Sequence, residues 1–185
     1  AISGDNTITF TLSDGTYDDI QMKVTDAAGN ESNVLTVPVF TLNSTPPILT
    51  EETPISQFTG DNTPSYVFIS SDTGTISVTR TSGGSVSCSP TQAQVGSNTI
   101  TFATLSDGTY NDIQVKVTDV GGNESNILTI PEFTIDTTPS VLTEVTPVPT
   151  PTNNNTPSYT FDSSEGGILS VSSNTWGQLT VDNTS

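Results

Sequence analysis

Leu105-Ser106-Asp107-Gly108-Thr109-Tyr110-Asn111-Asp112-Ile113-Gln114-Val115-Lys116-Val117-Thr118-Asp119 holds the reading that decides the fold. Ile113, Val115 and Val117 alternate with Gln114, Lys116 and Thr118, so an extended segment here has one apolar face and one wet face. Asp107-Gly108 makes a turn just before it. Tyr110 stands where its ring can fold over a core while its hydroxyl reaches back to nearby main chain. The step from Tyr110 to Ile113 is odd where alternation wants an even one. That predicts an extra residue, a bulge, near Asn111 or Asp112 and equally near Asp18 or Asp19.

The stretch occurs twice. Leu12 to Tyr17 returns at Leu105 to Tyr110, and Thr25 to Asn33 (TDAAGNESN) returns at Thr118 to Asn126 (TDVGGNESN), each 93 positions on. The same step carries Phe40 to Asn43 onto Phe133 to Asp136, Leu49-Thr50-Glu51 onto Leu142-Thr143-Glu144, and Asn62 to Tyr66 onto Asn155 to Tyr159. Such a period marks a repeat architecture. A second copy set after Ser185 continues the repeat in register, so the 185 residues are expected to be a window on a longer array.

Short alternating segments rich in Thr, Val, Ile, Tyr and Phe recur between Gly, Asn, Asp and Pro, which predicts an all-β sandwich. Strands are expected near 48–54, 65–70, 75–81, 85–89, 98–102, 112–119 and 126–136. With Tyr110 as a tyrosine corner before the sixth of them, the sandwich is immunoglobulin-like. Thr45-Pro46-Pro47 and Thr138-Pro139 cannot pair in a ladder and read as short stiff linkers. The expected organisation is tandem Ig-like β-sandwiches: one complete domain at 45–137, preceded by the last three strands of a domain at 1–44 and followed by the first four of another at 138–185. Neither flanking half can bury a sandwich core by itself.

Composition narrows function. Three basic residues against 20 acidic ones give a net charge of −17, which repels nucleic-acid phosphates and anionic lipid. Hydrophobic residues make up 31% of the chain, enough for a thin core because they alternate and are not scattered. Histidine is absent, which excludes Ser-His-Asp and Cys-His catalysis and His-containing zinc sites, and no phosphate-binding glycine motif opens a helix. An enzyme is not expected. Cys88, the one cysteine, has no partner within the chain and reads as a small core-facing residue or as half of an intermolecular bridge. Lys23 and Lys116 fall on the outward parity of their strands, so salt bridges to neighbouring acids are expected there.

The runs DGTY, VTDAAGN or VTDVGGN, and FTIDTTP resemble the bacterial immunoglobulin-like repeats of giant surface adhesins and other cell-surface proteins. The resemblance covers essentially the whole chain. It implies tandem beads forming long stalks outside the cell, several of them stiffened by calcium between domains. Its partners are then neighbouring copies of the same repeat in a linear array.

In such a sandwich, the loops where one domain ends face the loops where the next begins. At the first junction this brings Asp14 and Asn43 towards Asp72 and Asp119, and at the second the counterparts are Asp107, Asp136 and Glu165. All seven offer oxygen ligands suited to Ca²⁺. They are also ordinary turn residues. Asn43-Ser44 in place of Asp136-Thr137 departs from the linker pattern, which puts a metal at the first junction in question. Asn30-Glu31-Ser32 and Asn123-Glu124-Ser125 match the N-glycosylation pattern and read first as turn sequence.

The leading function is a structural repeat of an extracellular fibre, stalk or adhesin shaft. One alternative is separate pilus-like subunits that polymerise by half-domain complementation. Another is an adhesive module recognising glycan or a host protein, for which Trp176 is the one aromatic candidate.

Overall fold

The computed structural model describes residues 1–172, all of them strand, turn or irregular chain, with no helix among them. The chain divides between Thr137 and Thr138 into two compact units.

The first unit opens with a hairpin. β1 (Gly15–Tyr17) pairs antiparallel with β4 (Phe40–Leu42), and β2 (Gln21–Met22) with β3 (Leu35–Thr36). Tyr17 stacks on Phe40 at 5.4 Å between ring centroids and donates its hydroxyl to the Ser13 carbonyl at 2.7 Å.

The complete domain follows. Its strands are β5 (Leu49–Thr53), β6 (Phe58–Thr59), β7 (Ser65–Ser70), β8 (Gly74–Arg80), β9 (Cys88–Ser89), β10 (Gln92–Ala93), β11 (Gly96–Phe102), β12 (Gly108–Tyr110), β13 (Ile113–Thr118), β14 (Leu128–Thr129) and β15 (Phe133–Ile135). One sheet runs β5-β7-β11-β9. The other runs β10-β8-β13-β14 and continues as β12-β15-β6, where β6 pairs parallel to β15. The order β5-β7-β11-β9 facing β8-β13-β14, all antiparallel, is the constant-type immunoglobulin arrangement, to which β10 and the parallel β6 are added at edges. Burial alternates strictly along β11 and β13, as the pleat requires. Tyr66, Phe68, Ile100 and Phe102 from the first sheet meet Ile76, Val78, Ile113, Val115, Val117 and Phe133 from the second, all buried. Gly74 admits β8 close to β13, because a Cβ there would strike the Thr118 carbonyl and Val117.

Tyr110 forms the expected corner, donating to the Ser106 carbonyl at 2.9 Å and stacking on Phe133. The lone arginine, Arg80, lies 5.4 Å over its ring and places Nε 3.0 Å from both Asp112 carboxylate oxygens. Cys88 is half-buried against the core, and burial pushes its thiol pKa up.

The expected bulge is absent. Tyr110 faces Phe133 before the break and Gln114 faces Thr129 after it, so both strands use the same number of residues. Pro131, which has no N–H, opens the ladder on one side and Asn111-Asp112 leave it together on the other, which also splits the expected final strand into β14 and β15. The first hairpin keeps the same register across Pro38. Real register shifts occur elsewhere, between Glu51 and Thr53 and between Glu144 and Thr146. The expected strand at 85–89 shortens to β9, while β6, β10 and β12 had no counterpart among the expected strands.

The second unit, as far as it is described, holds β16 (Leu142–Thr146) paired with β17 (Thr160–Ser163). It repeats β5 and β7 in detail: Val141 N donates to Ser164 Oγ as Ile48 N does to Ser71 Oγ, and Ser163 Oγ donates to the Glu165 carbonyl as Ser70 Oγ does to that of Asp72.

Both end pieces therefore carry the local geometry of the complete domain without its burial. Asn6 folds the chain onto Ile2 and Gly4 as Asn98 folds it onto Gln94 and Gly96. Yet Thr7 to Phe10 form no strand, because β11, their counterpart, is held between β7 and β9 and residues 1–44 contain neither. Phe10 is 41% exposed against 2% for Phe102, Val24 50% against 0% for Val117, and Tyr159 54% against 0% for Tyr66.

Phe102→Ala is expected to lower the unfolding free energy of the complete domain by about 3–5 kcal/mol in denaturant titration. Phe10→Ala should cost under about 1 kcal/mol, as for a surface position. Equal losses would contradict the assignment of the core to the complete domain alone.

Candidate functional site

The linker from β4 to β5 is where the sequence concentrates oxygen donors. Asp14, in the turn before β1, accepts from Ser44 N at 3.0 Å, Ser44 Oγ at 2.6 Å and Thr45 Oγ1 at 2.7 Å. These bonds, that of the Ser44 hydroxyl foremost, hold its carboxyl below the usual carboxylate range. The same device recurs one repeat on, where Asp107 accepts from Thr137 N and Oγ1 at 3.2 and 2.9 Å. Pro47 is buried, which seats the end of the linker on the complete domain.

Asn43 crosses from the linker to the turn after β13. Its Nδ2 donates to Asp119 Oδ2 at 2.9 Å, and its own carbonyl accepts from Asn123 Nδ2 at 2.9 Å. Asn123 also closes the turn, donating Nδ2 to Asp119 Oδ2 at 2.9 Å and its backbone N–H to Oδ1 at 2.8 Å. Asp119 is buried, and donors led by the Asn123 side chain lower its pKa. The matching turn of the first hairpin has the same internal bonds, from Asn30 N and Nδ2 to Asp26. Both glycosylation-pattern asparagines thus use their side-chain amides in turns.

Of the seven expected ligands, the structure joins Asn43 directly to Asp119, and Asp14 to the two residues after Asn43. Asp72 accepts from its neighbour Thr73 N at 2.7 Å. Asp136 lies at the end of β15, its backbone N–H donated to the Thr59 carbonyl, and Glu165 follows β17 in the second unit. Among the described residues no group of three or more acidic, His or Cys side chains could hold a metal. The donor set at the first junction does not fit Ca²⁺. Asp119 and Asp14 already accept amide and hydroxyl protons, and Asn43 turns its NH₂ to the carboxylate while its Oδ1 accepts from Thr45 N at 3.1 Å.

Three side chains that matter were not singled out from sequence in this role. Asn123 ties turn to linker. Asn126 clamps β5, with Oδ1 accepting from Leu49 N at 2.7 Å and Nδ2 donating to the Leu49 carbonyl at 3.0 Å. Ser125 Oγ accepts from Val117 N and donates to the Asn126 carbonyl. The signal was the identical Asn-Glu-Ser-Asn in both copies. Lys23–Glu31 and Lys116–Glu124, at 2.8 and 2.7 Å, are the expected surface pairs and contribute little. Trp176 lies outside the described residues.

Residues 49–137 match the family model described as bacterial Ig-like domain. No curated protein matches the chain.

Asp14 and Asp119 have depressed folded-state pKa values, so their contribution to stability is present above the ordinary carboxylate value of 3.8 and is lost as pH falls through the folded values. Thermal unfolding should be flat from about pH 7 to 5 and fall steeply below about pH 4. Asp119→Asn should shrink that fall. An acid limb unchanged in the variant would remove Asp119 from it.

Proposed function

Residues 49–137 belong to the bacterial Ig-like domain family, and from that premise we propose that the chain is a stretch of the shaft of an extracellular fibre, stalk or adhesin, with domains stacked head to tail. The family's modules are structural or adhesive parts of bacterial surface proteins and are typically non-enzymatic. One observation carries the finer reading: the two end pieces repeat the registers of the complete domain and expose complementary parts of its core. An apolar groove lined by Ile8, Phe10, Leu12, Phe40 and Leu42 lies where the complete domain has buried Phe102, Phe133 and Ile135. In the complete domain the covering sheet contains β5 and β7, whose counterparts are β16 and β17. A neighbouring copy supplies that cover.

Short linkers make the array extended. Pro46-Pro47 restrict the chain, and the −17 charge disfavours lateral association. Calcium enters this reading only at the second linker, where the sequence sets the carboxylate of Asp136 in the place of Asn43. The cover is either continuous with the same polypeptide or a separate subunit. Denaturing electrophoresis of native fibres distinguishes the two, giving one very long chain or subunits of repeat length.

Residues 138–185 joined directly to residues 1–44 should fold as one sandwich with a single cooperative melting transition. A fusion with no cooperative transition would contradict the complementarity of the end pieces.

A further inference from the structure

We propose that the junction between the first hairpin and the complete domain is locked without metal, by a clasp in which the Asn43 and Asn123 amides close on the Asp119 carboxylate, with Gly121 as the position that admits the linker. The proposal deepens the stacked-domain reading at one junction. It concerns only residues 1–137, so it can fail while the array stands.

The clasp is a closed ring of donors and acceptors. Asp119 Oδ2 accepts one hydrogen bond from Asn43 Nδ2 and one from Asn123 Nδ2, and Asn123 Nδ2 also donates to the Asn43 carbonyl, each at 2.9 Å. The Thr45 N–H holds Asn43 Oδ1, which fixes the NH₂ end of the amide towards Asp119. Hydrogen bonds to a buried carboxylate are charge-assisted and stronger than neutral ones. The amide stabilises the ionised carboxylate at the junction by donating hydrogen bonds to it, without cancelling its charge. An aspartate at position 43 could not, since it has no N–H to give and would set a second negative charge beside Asp119.

The domain side of the clasp is formed in advance. In the first hairpin, Asp26 and Asn30 make the same turn bonds without a linker asparagine upon them. Closing the clasp therefore orders the linker and little else. The two copies also differ at the point of approach. A Cβ on Gly121 would lie 2.7 Å from the Asn43 carbonyl oxygen and 2.9 Å from Asn123 Nδ2, whereas the same place in the first turn is Ala28. The repeat thus changes in two coupled places: Asn43 meets Gly121, while the second linker has Asp136 and the other turn has Ala28.

The test is ¹⁵N relaxation on the whole chain in EDTA and again in millimolar calcium. Residues 15–42 and 49–137 should tumble as one body in both. A hairpin that moves independently or is disordered in EDTA overturns the proposal. Asn43→Asp should weaken the coupling in EDTA by about tenfold or more, the scale of one charge-assisted bond, and Gly121→Ala should loosen it in the same direction. Asp119→Asn should loosen it likewise, because either end of the new amide puts an NH₂ against a donor, the Asn43 and Asn123 amides at one oxygen position or the Asn123 N–H at the other. Unchanged tumbling in Asn43→Asp or in Asp119→Asn counts against the clasp.

Discussion

The fold depends on one constraint: each sheet presents an apolar face that only the opposite sheet can cover. Phe68, Ile100 and Phe102 on one side and Val115, Val117 and Phe133 on the other are buried because both sheets are there. Hydrogen bonding alone does not substitute for this. The first hairpin has the same cross-strand registers, the same tyrosine corner and the same closed turn as the complete domain, and still leaves Val24 and Phe10 open to solvent. Local structure follows from local sequence, while stability at these positions requires a partner sheet. That difference makes the two-sheet sandwich, and not the single hairpin, the stable unit.

The junctions have the opposite problem. The chain carries far more acid than base, and the linker from β4 to β5 meets the acidic turn after β13. A carboxylate partly withdrawn from water is stabilised by hydrogen-bond donors or by cations. At the first junction hydrogen-bond donors stabilise the carboxylates: Ser44 and Thr45 bond to Asp14, and Asn43 and Asn123 to Asp119.

Much of this was legible in the sequence because it is periodic or local. The alternation of Ile113, Val115 and Val117 set β13, and Asp107-Gly108-Thr109-Tyr110 marked the corner, since both readings need only neighbouring residues. The odd step between Tyr110 and Ile113 was misread as a bulge because the matching break at Pro131 lies on another strand, and only pairing shows that the two cancel. Asn43 was grouped with the acids as an oxygen ligand. Which end of an amide faces a carboxylate is decided by its other neighbours, here Thr45 N, and spacing does not reveal that. Asn126 was passed over for the same reason, since its partner Leu49 is distant in sequence. The loss of a strand at Thr7 to Phe10 required knowing what its two flanks would be.

The dependence of sheet on sheet is tested most directly by native-state hydrogen exchange read along two matched strands. In the chain as it stands, the amides of β13 should be protected by orders of magnitude more than those of β2, although the two share sequence pattern and register. In a chain lengthened so that residues 138–185 precede Ala1, protection of β2 should rise to the level of β13. Equal protection of the two strands in the original chain, or no gain in the lengthened one, would contradict the account.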